Sequence, residues 1–254
     1  MTRSTVPTIV TEQGTLRDKT ILITGAARRV GRALALACAR AGAHVALHYG
    51  TSRDEAESLK SEIETLGSTA ALFQADLNDP SHVRGLLEQA WQWRPLDGLV
   101  NNASVFEALD WRSTTLEDWN RNLMLHLTAP FLLSQGFASR LPEEKTGRIV
   151  NLLDWRALRP GGDHFPYTVS KAALAGLTRS LAVALAPRIT VNGLALGAIL
   201  PPVSGEDARG LLAQVPARRW AELTEVEEAL LFLLHGPAYI TGEILHVDGG
   251  RHLI

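Results

Sequence analysis

The chain has 254 residues, of which 46% are hydrophobic and 20% are charged, and its formal net charge is -2. This composition is typical of a globular domain, and nucleic acid is not expected as a partner because no run of Lys and Arg dominates any segment. The single cysteine, Cys38, excludes an intramolecular disulfide and a cysteine-rich zinc site. No apolar run has membrane-spanning length and the first residues lack the apolar core of a signal peptide, so a cytoplasmic protein is expected.

Residues 1–17 are polar and without clear periodicity, which predicts a flexible leader before one folded domain over residues 18–254. Apolar runs then alternate with segments of helical periodicity. Strands are predicted at residues 20–24, 43–49, 69–77, 97–103, 147–153, 189–196 and 242–250. Helices are predicted at residues 28–42, 52–67, 81–93, 116–140, 167–185 and 225–234. Continuously apolar strands that alternate with helices predict a doubly wound α/β domain of Rossmann type, with a parallel sheet covered on both faces.

The loop between the first strand and the first helix has the sequence TGAARRVG, with two glycines and two arginines. Free backbone amides and the helix dipole favour phosphate at this place in such a fold. The loop therefore predicts a dinucleotide site, and its candidate contacts are Gly25, Arg28, Arg29, Val30 and Gly31.

The segment after the second strand, LHYGTSR, contains no acid before Asp54. A site for NAD usually places an acid there to bind the ribose hydroxyls, and an acid would repel a 2′-phosphate. The segment instead offers two hydroxyls and two potential cations, so NADPH is the predicted cofactor, with His48, Tyr49, Thr51 and Ser52 as candidate contacts. The alternative is an ordinary turn in which Ser52 caps the next helix.

The sequence YTVSK supplies Tyr167 and Lys171, whose spacing of four places both side chains on one face of a helix. An ammonium beside a tyrosine stabilises the phenolate and is expected to lower the tyrosine pKa toward the working range. No serine lies between Asn151 and Tyr167, and Asp154 stands thirteen residues before the tyrosine. Asp154 is thus a third candidate catalytic residue, with a turn or helix cap as its alternative role.

From about residue 18 onward these motifs resemble the short-chain dehydrogenase/reductase superfamily, with its loop T-G-x-x-x-G-x-G and its Y-x-x-x-K. Arg29 replaces the second glycine of the usual loop, and Asp154 replaces the usual serine. Both departures resemble the pteridine reductase and dihydromonapterin reductase branch. The resemblance implies that Arg29 reaches both the cofactor phosphates and the pterin. It also implies that Asp154 and Tyr167 serve the protonation of a ring nitrogen.

The resemblance implies further contacts at the ends of the strands. The additional cofactor contacts are Asp76 and Leu77 after the third strand, Asn102, Ala103 and Ser104 after the fourth, and Gly197 and Ile199 after the sixth. Ser104 and Phe106 are implied to contact the substrate, Phe106 by stacking on the pterin, although an isolated Phe is often a core residue. His126 stands where the superfamily has an asparagine, and either a proton relay or a helix kink accounts for it.

The leading hypothesis is an NADPH-dependent reductase that converts a dihydropterin or dihydrofolate to its tetrahydro form. The same-class alternative is a ketone or 3-oxoacyl reductase, against which the missing serine argues. A non-catalytic NADPH-binding regulator is the alternative of a different class. The resemblance also implies a homotetramer.

Overall fold

The computed structural model describes residues 15–200 and 208–254, so residues 1–14 of the predicted leader lie outside the described residues. Seven strands occur within these ranges: β1 (Thr20–Ile23), β2 (His44–Tyr49), β3 (Ala70–Gln74), β4 (Gly98–Asn101), β5 (Gly147–Asp154), β6 (Ile189–Leu196) and β7 (Ile244–Val247). The helices are α1 (Arg29–Arg40), α2 (Arg53–Thr65), α3 (Pro80–Trp93), α4 (Leu116–Leu123), α5 (Ala129–Arg140), α6 (Phe165–Leu185), α7 (Ala208–Ala213) and α8 (Leu223–His235).

The strands form one sheet in the order β3-β2-β1-β4-β5-β6-β7, and every neighbouring pair is parallel. The predicted fold class, a single doubly wound domain of Rossmann type, is confirmed. Strand order reverses between β1 and β4, and parallel sheets of this kind bind ligands outside the carboxyl ends of the strands at such a point. The loops that follow β1, β4 and β5 therefore define the place to look for a site.

Apolar side chains fill both faces of the sheet. One core cluster includes Leu34 and Cys38 of α1 and Leu230 of α8, and the other includes Leu87 of α3 and Phe137 of α5. Burial raises the pKa of the Cys38 thiol to about 12, so this thiol is a core group. Among the helices that the structure describes, none combines the length and the apolar character needed to cross a membrane.

The predicted boundary between leader and domain falls inside the packed region. Leu16 is only 3% exposed, belongs to the first core cluster and donates its amide to the Ala41 carbonyl at 2.9 Å. Packing therefore includes a residue that the sequence analysis placed in the leader.

The long helix predicted at residues 116–140 is three consecutive elements. Helix α4 begins after a capping box between Thr115 and Asp118. A π-helical turn, Met124–Thr128, then separates α4 from α5. Pro130 near the start of α5 has no amide hydrogen, so a regular hydrogen-bond ladder cannot run through this point. His126 lies in the π-helical turn and is 1% exposed.

A buried chain of amide and hydroxyl groups joins the centre of the sheet to α6. Asn101 on β4 donates through Nδ2 to Oδ1 of Asn151 on β5 at 2.8 Å, and Asn151 Nδ2 donates to Thr178 Oγ1 at 2.9 Å. The Thr178 hydroxyl in turn donates to the Leu174 carbonyl at 2.8 Å. Because these polar atoms are shielded from water, each depends on its partner, and the chain fixes α6 against β5.

We expect Asn151→Leu to lower the free energy of unfolding by about 2–3 kcal/mol, because it leaves Asn101 and Thr178 without their shared buried partner. Urea unfolding measures this change. The matched comparison is Thr178→Val, alone and combined with Asn151→Leu. A double variant whose loss equals the sum of the two single losses would show that the side chains do not act as one network.

Candidate functional site

The loop after β1 and the loop after β4 are tied together by short hydrogen bonds. The Thr24 hydroxyl oxygen accepts the amides of Asn102 and Ala103 at 2.9 and 3.0 Å. Asn102 Nδ2 donates to the carbonyls of Thr24 and Gly25 at 2.8 and 3.0 Å. Asn102 and Ala103, predicted to contact the cofactor, thus also brace the glycine loop.

Close backbone approach explains both glycines of this loop. Gly25 has a φ of +62°, and a Cβ at this position would lie 2.9 Å from the Ala103 Cα. A Cβ at Gly31 would lie 2.1 Å from the Gly25 carbonyl oxygen, which no side chain tolerates. Both positions require glycine for steric reasons, independently of any ligand.

Arg29 keeps the backbone conformation that a glycine would favour. Its φ is +51°, in the left-handed region, although it is also the first residue of α1. A non-glycine residue with this backbone conformation is strained by about 1 kcal/mol. The side chains of Arg28 and Arg29 are exposed, and the Arg28 guanidinium lies 3.9 Å from the Glu55 carboxylate. The first turn of α1, which includes the half-buried Val30, has no acidic side chain, so its amides remain suited to an anion.

The buried His48 ring accepts a hydrogen bond from the glycine loop. The expectation that it supplies a positive charge for phosphate is wrong. Its ring is 3% exposed, Nδ1 accepts the Gly25 amide at 3.0 Å, and Nε2 lies 3.1 Å from the Ala75 carbonyl. Burial lowers the pKa of His48 to about 4, so the ring is neutral near pH 7. Tyr49 is likewise buried, against Ala27 and Ala56.

The exposed residues after β2 border a cavity of about 600 Å³. Thr51 and Asp76 face it together with Gln74 of β3 and His82 of α3. Ser52 occupies the N-cap position of α2, but its side chain makes no capping hydrogen bond. Of the other predicted contacts, Leu77 lies in the core, and Asp76 also accepts the Asn78 amide at 2.9 Å.

Asp154, Tyr167 and Lys171 meet at the carboxyl end of β5. The Tyr167 hydroxyl donates to Asp154 Oδ2 at 3.0 Å. Lys171 Nζ donates to the Leu152 carbonyl at 2.7 Å and lies 5.7 Å from the centre of the Tyr167 ring. Asp154 Oδ1 also accepts the Arg156 amide at 2.8 Å, which is the contact expected of the turn-capping interpretation.

Burial governs the protonation of these three groups. It raises the pKa of Asp154 and outweighs the opposing Arg156 amide, Arg156 charge, Tyr167 hydroxyl and Lys171 charge. Burial, with Asp154 second, raises the pKa of Tyr167 well above its ordinary value. Burial also lowers the pKa of Lys171 to about 8, although the Asp154 charge opposes this change. The direction is thus opposite to the lowering expected beside a lysine, because burial and the Asp154 carboxylate raise the pKa of Tyr167 and only the Arg156 charge opposes them.

Aromatic and basic side chains border the triad on its open side. Phe106 is 54% exposed; its ring stacks on His164 with centroids 3.7 Å apart and meets the edge of Tyr167 at 4.8 Å. The Arg156 guanidinium lies 5.7 Å from the centre of the Phe106 ring and pairs with Asp163 at 2.6 Å. The core alternative for Phe106 is wrong, because its ring remains accessible next to the triad.

Several residues of this arrangement were not predicted from the sequence. Thr24 lies in the TGAARRVG motif and Ser170 in the YTVSK motif, so the motifs themselves could have indicated both residues. Arg156 lies in a 3₁₀ turn (Trp155–Ala157) and His164 directly precedes α6, and no spacing pattern marks either residue. Gly197 and Ile199 follow β6, where a Cβ at Gly197 would lie 2.6 Å from the Asp248 Cα and Ile199 is buried.

With the site described, comparisons with known proteins give its class. A family model described as Enoyl-(Acyl carrier protein) reductase matches residues 25–252. The chain is 32% identical over 240 residues to a 3-oxoacyl-(acyl-carrier-protein) reductase of Synechocystis sp., covering 92% of this chain and 97% of that protein. It is 33% identical over 243 residues to the Escherichia coli 3-oxoacyl-(acyl-carrier-protein) reductase FabG, covering 93% and 98%. The chain belongs to the short-chain dehydrogenase/reductase family, and the predicted enzyme class, an oxidoreductase of this family, is confirmed.

Solved structures agree with this class. The FolM alternative dihydrofolate reductase 1 of Brucella canis, complexed with NADP, is 38% identical with a TM-score of 0.86, covering 93% of this chain and 95% of that chain. A blue fluorescent protein from a metagenomic library, in complex with NADPH, is 35% identical with a TM-score of 0.88, covering 93% and 99%. The ligands of both structures agree with the cofactor predicted for this chain.

The lowered pKa of Lys171 predicts a specific dependence of stability on pH. Because the folded pKa, about 8, lies below the ordinary value of 10.5, the unfolded state binds more protons between these limits. The charged lysine therefore costs folding free energy below about pH 8, and this cost disappears as the pH rises to 10.5. A difference of this size corresponds to about 3 kcal/mol.

We expect Lys171→Met to be more stable relative to the native protein at pH 7 than at pH 10, by an amount approaching about 3 kcal/mol. Urea unfolding of both proteins at several pH values between 7 and 10 measures this difference. Lys60→Met is the matched control, because Lys60 is half exposed on α2 and its variant should show no such trend. A difference for Lys171→Met that stays constant with pH would contradict the assignment.

Proposed function

We propose that this protein is an NADPH-dependent reductase that converts a dihydropterin or dihydrofolate to its tetrahydro form. The observation that carries the proposal is the hydrogen bond from the Tyr167 hydroxyl to the largely buried Asp154 carboxylate. Reduction of a carbonyl needs a neutral donor beside the tyrosine, whereas reduction of a ring C=N bond needs a proton for the nitrogen. An acid in the serine position suits the second reaction.

The residues present fit an NADPH molecule laid across the carboxyl ends of the strands. Gly25 and Gly31 allow close backbone approach at the start of α1, where the free amides and Arg28 and Arg29 suit a pyrophosphate. Thr51 and Ser52 suit a 2′-phosphate beside the 600 Å³ cavity. When bound, NADPH supplies the hydride. The NADP and NADPH bound to the two solved relatives support this choice.

The protein side chains supply the proton. Tyr167 keeps its hydroxyl hydrogen at physiological pH, since its pKa lies above an ordinary value that is itself well above 7, and we assign this hydrogen to the ring nitrogen. The raised pKa of Asp154 allows this carboxyl to take a proton from water and return it to the tyrosine oxygen 3.0 Å away. Lys171, held by the Leu152 carbonyl, provides a positive charge beside the tyrosine and a donor for the cofactor ribose.

The open side of the triad suits a flat heteroaromatic ring. One face of Phe106 is covered by His164, so the remaining exposed face is the place for a stacked pterin. Arg29, exposed at the start of α1, is proposed to contact both this ring and the cofactor phosphates. The FolM relative, whose name contains dihydrofolate reductase, supports this substrate class.

A homotetramer belongs to the proposal and rests mainly on the family resemblance. Exposed apolar side chains on two long helices, Phe131 of α5 and Val183 of α6, are consistent with an interface there.

A second candidate function is reduction of a 3-oxoacyl thioester, which the identity to two such reductases over nearly the whole chain favours.

The cofactor part of the proposal predicts the effect of a single charge. We expect Thr51→Asp to weaken NADPH binding by about ten- to a hundredfold, because a carboxylate would lie near the 2′-phosphate, while NADH binding changes little. Fluorescence titration of purified protein with each cofactor measures both constants. Thr51→Asn is the matched control of equal size without charge. Equal weakening of NADPH by both variants would contradict a phosphate pocket at this place.

The substrate part is tested by Asp154 and Tyr167 variants with a panel of a dihydropterin, dihydrofolate and a 3-oxoacyl thioester. We expect Asp154→Asn and Tyr167→Phe each to slow dihydropterin reduction by about 10²–10⁴-fold, because each removes a titratable proton and little volume. NADPH oxidation measures the rates. Asp97→Asn, at the opposite edge of the sheet, is the control.

The two candidate functions differ in the Asp154→Ser variant. Serine provides the neutral donor that a carbonyl needs, so this variant should lose pterin reduction and gain thioester reduction. Native protein that reduces the thioester better than any dihydropterin would favour the second candidate function. Native protein that binds NADPH but reduces none of the three would favour a non-catalytic role.

A further inference from the structure

The environment of His126 is unusual for a residue at the asparagine position of this family. Its ring is buried between two segments of the site, the loop after β4 and the catalytic helix α6. Nε2 lies 3.0 Å from the Ser104 hydroxyl oxygen and accepts the Val105 amide at 3.2 Å. On the other side of the ring, Nδ1 lies 2.9 Å from the Ser170 hydroxyl oxygen.

These contacts determine which ring nitrogen carries the hydrogen. The Val105 amide can only donate, so Nε2 must present its lone pair. In a neutral ring the hydrogen is then on Nδ1, which donates to Ser170 Oγ. The Ser170 hydroxyl donates its own hydrogen to the Tyr167 carbonyl at 2.7 Å. Its oxygen can therefore accept the hydrogen of His126 Nδ1. Burial and the Lys171 charge lower the pKa of His126 well below its ordinary value, in agreement with a neutral ring.

The same contacts determine the polarity of the exposed Ser104 hydroxyl. Both of its protein neighbours are acceptors, namely the lone pair of His126 Nε2 and the Val105 carbonyl at 3.3 Å. The serine hydrogen therefore points toward the protein in either arrangement. The lone pairs of Ser104 Oγ remain free on the open side, where Phe106 also lies.

We propose that His126 is a positioning residue that makes Ser104 a hydrogen-bond acceptor for the substrate, and thereby selects substrates that present an N–H group at this point. The inference rests on the proposed function and specifies its substrate chemistry. An aminopyrimidinone ring, as in a pterin, carries N–H donors on its amino group and ring nitrogen. The reacting part of a 3-oxoacyl thioester presents only acceptor oxygens, to which Ser104 can donate only by giving up its bond to His126 or to the Val105 carbonyl.

The π-helical turn is what makes this role available to a histidine. It carries the His126 side chain inward from a point between α4 and α5. The two ring nitrogens then bond both segments at once, whereas the shorter asparagine cannot span from Val105 to Ser170. His126 also fixes the distance between the substrate loop and Tyr167, since Ser170 bonds the Tyr167 carbonyl.

The experiment combines a direct test of the ring with a test of binding. In protein labelled with ¹⁵N-histidine at pH 7, we expect a histidine signal with a protonated Nδ1 and an unprotonated Nε2 that is absent from the His126→Gln spectrum. The signals of His164 and His252, whose Nδ1 atoms face the Glu107 carbonyl and the Asp248 carboxylate, should remain in that spectrum. Because His48 has the opposite tautomer in the structure, Nε2–H toward Ala75, the two buried rings are distinguishable. A protonated Nε2 on His126 overturns the inference and does not depend on any substrate.

The kinetic arm compares His126→Phe, His126→Gln, Ser104→Ala and the double variant Ser104→Ala/His126→Phe. Phe removes all three hydrogen bonds of the ring, while Gln places an acceptor oxygen near the position of Nε2. We expect His126→Phe and Ser104→Ala each to raise KM for a dihydropterin by about tenfold with a smaller effect on kcat, and Gln to restore most of this loss. The double variant should be no worse than the poorer single variant. Additive losses, or Gln no better than Phe, overturn the inference.

Substrate analogues separate this inference from the proposed function. A dihydropterin with an oxo group in place of the 2-amino group loses the amino donor and gains an N–H on a ring nitrogen. A dihydropterin with a methyl on the ring nitrogen that carries the N–H loses that ring donor instead. At least one should bind the native protein about tenfold more weakly than the parent, and this difference should disappear in Ser104→Ala. Equal binding of all three by the native protein overturns the inference while leaving pterin reduction intact. A native protein that reduces no dihydropterin contradicts the proposed function, and the substrate part of this inference with it.

Discussion

The site depends on holding one positive charge in a place with almost no water. Lys171 is 3% exposed and has one strong acceptor, the Leu152 carbonyl at the carboxyl end of β5. A parallel sheet provides this acceptor because β5 ends here, and helix α6 brings the lysine to it. The same burial acts on Asp154 and Tyr167, so all three groups have pKa values displaced toward their neutral forms. Because the neutral forms are favoured, moving a proton among these three side chains costs less free energy than creating separated charges in the buried site would cost.

Two sets of hydrogen bonds hold the neighbouring segments against this charged centre. Thr24 and Asn102 join the loops after β1 and β4, so the loop proposed to contact phosphate and the loop proposed to contact substrate form one unit. The chain from Asn101 through Asn151 to Thr178 then joins that unit to α6. Each of these hydrogen bonds is buried or partly buried, and breaking one would leave an unpaired polar group at a cost in free energy. The bonds therefore oppose small movements of the segments that they join. Distances at the triad therefore depend on residues that never face the open side of the site.

The sequence was sufficient for the fold and for the meeting of Asp154, Tyr167 and Lys171, but not for their protonation or for the presence of Arg156 and His164 beside them. Strand and helix alternation depends on local periodicity, and the motif around Tyr167 depends on helical spacing, so both are visible in the chain. The neutral state of His48 is not visible, because it follows from burial under a loop whose partner, Ala75, is 27 residues away. The raised pKa of Tyr167 is hidden for the same reason, since a nearby lysine indicates the opposite direction until the burial of both is known. The π-helical turn at Met124–Thr128 lies inside a segment whose apolar spacing predicts one uninterrupted helix, with Pro130 as the available signal of a break.

The two curated 3-oxoacyl reductases and the chemistry of the site favour different substrates, and the physical basis of each indicates how much weight it deserves. Identity near a third over the whole chain is an average over all positions, including those that any member of this family needs in order to fold and to bind its cofactor. The choice between a carbonyl and a ring C=N bond is made by the few groups around the reacting atoms. At those positions the chain has Asp154 where the family usually has a serine, and His126, whose proposed role is to leave Ser104 as an acceptor. The first difference concerns the ligand atom that receives a proton. The second concerns a ligand atom that donates a hydrogen bond to Ser104. A carbonyl compound has use for neither change, whereas a pterin has use for both, which is why we give the site more weight than the average identity.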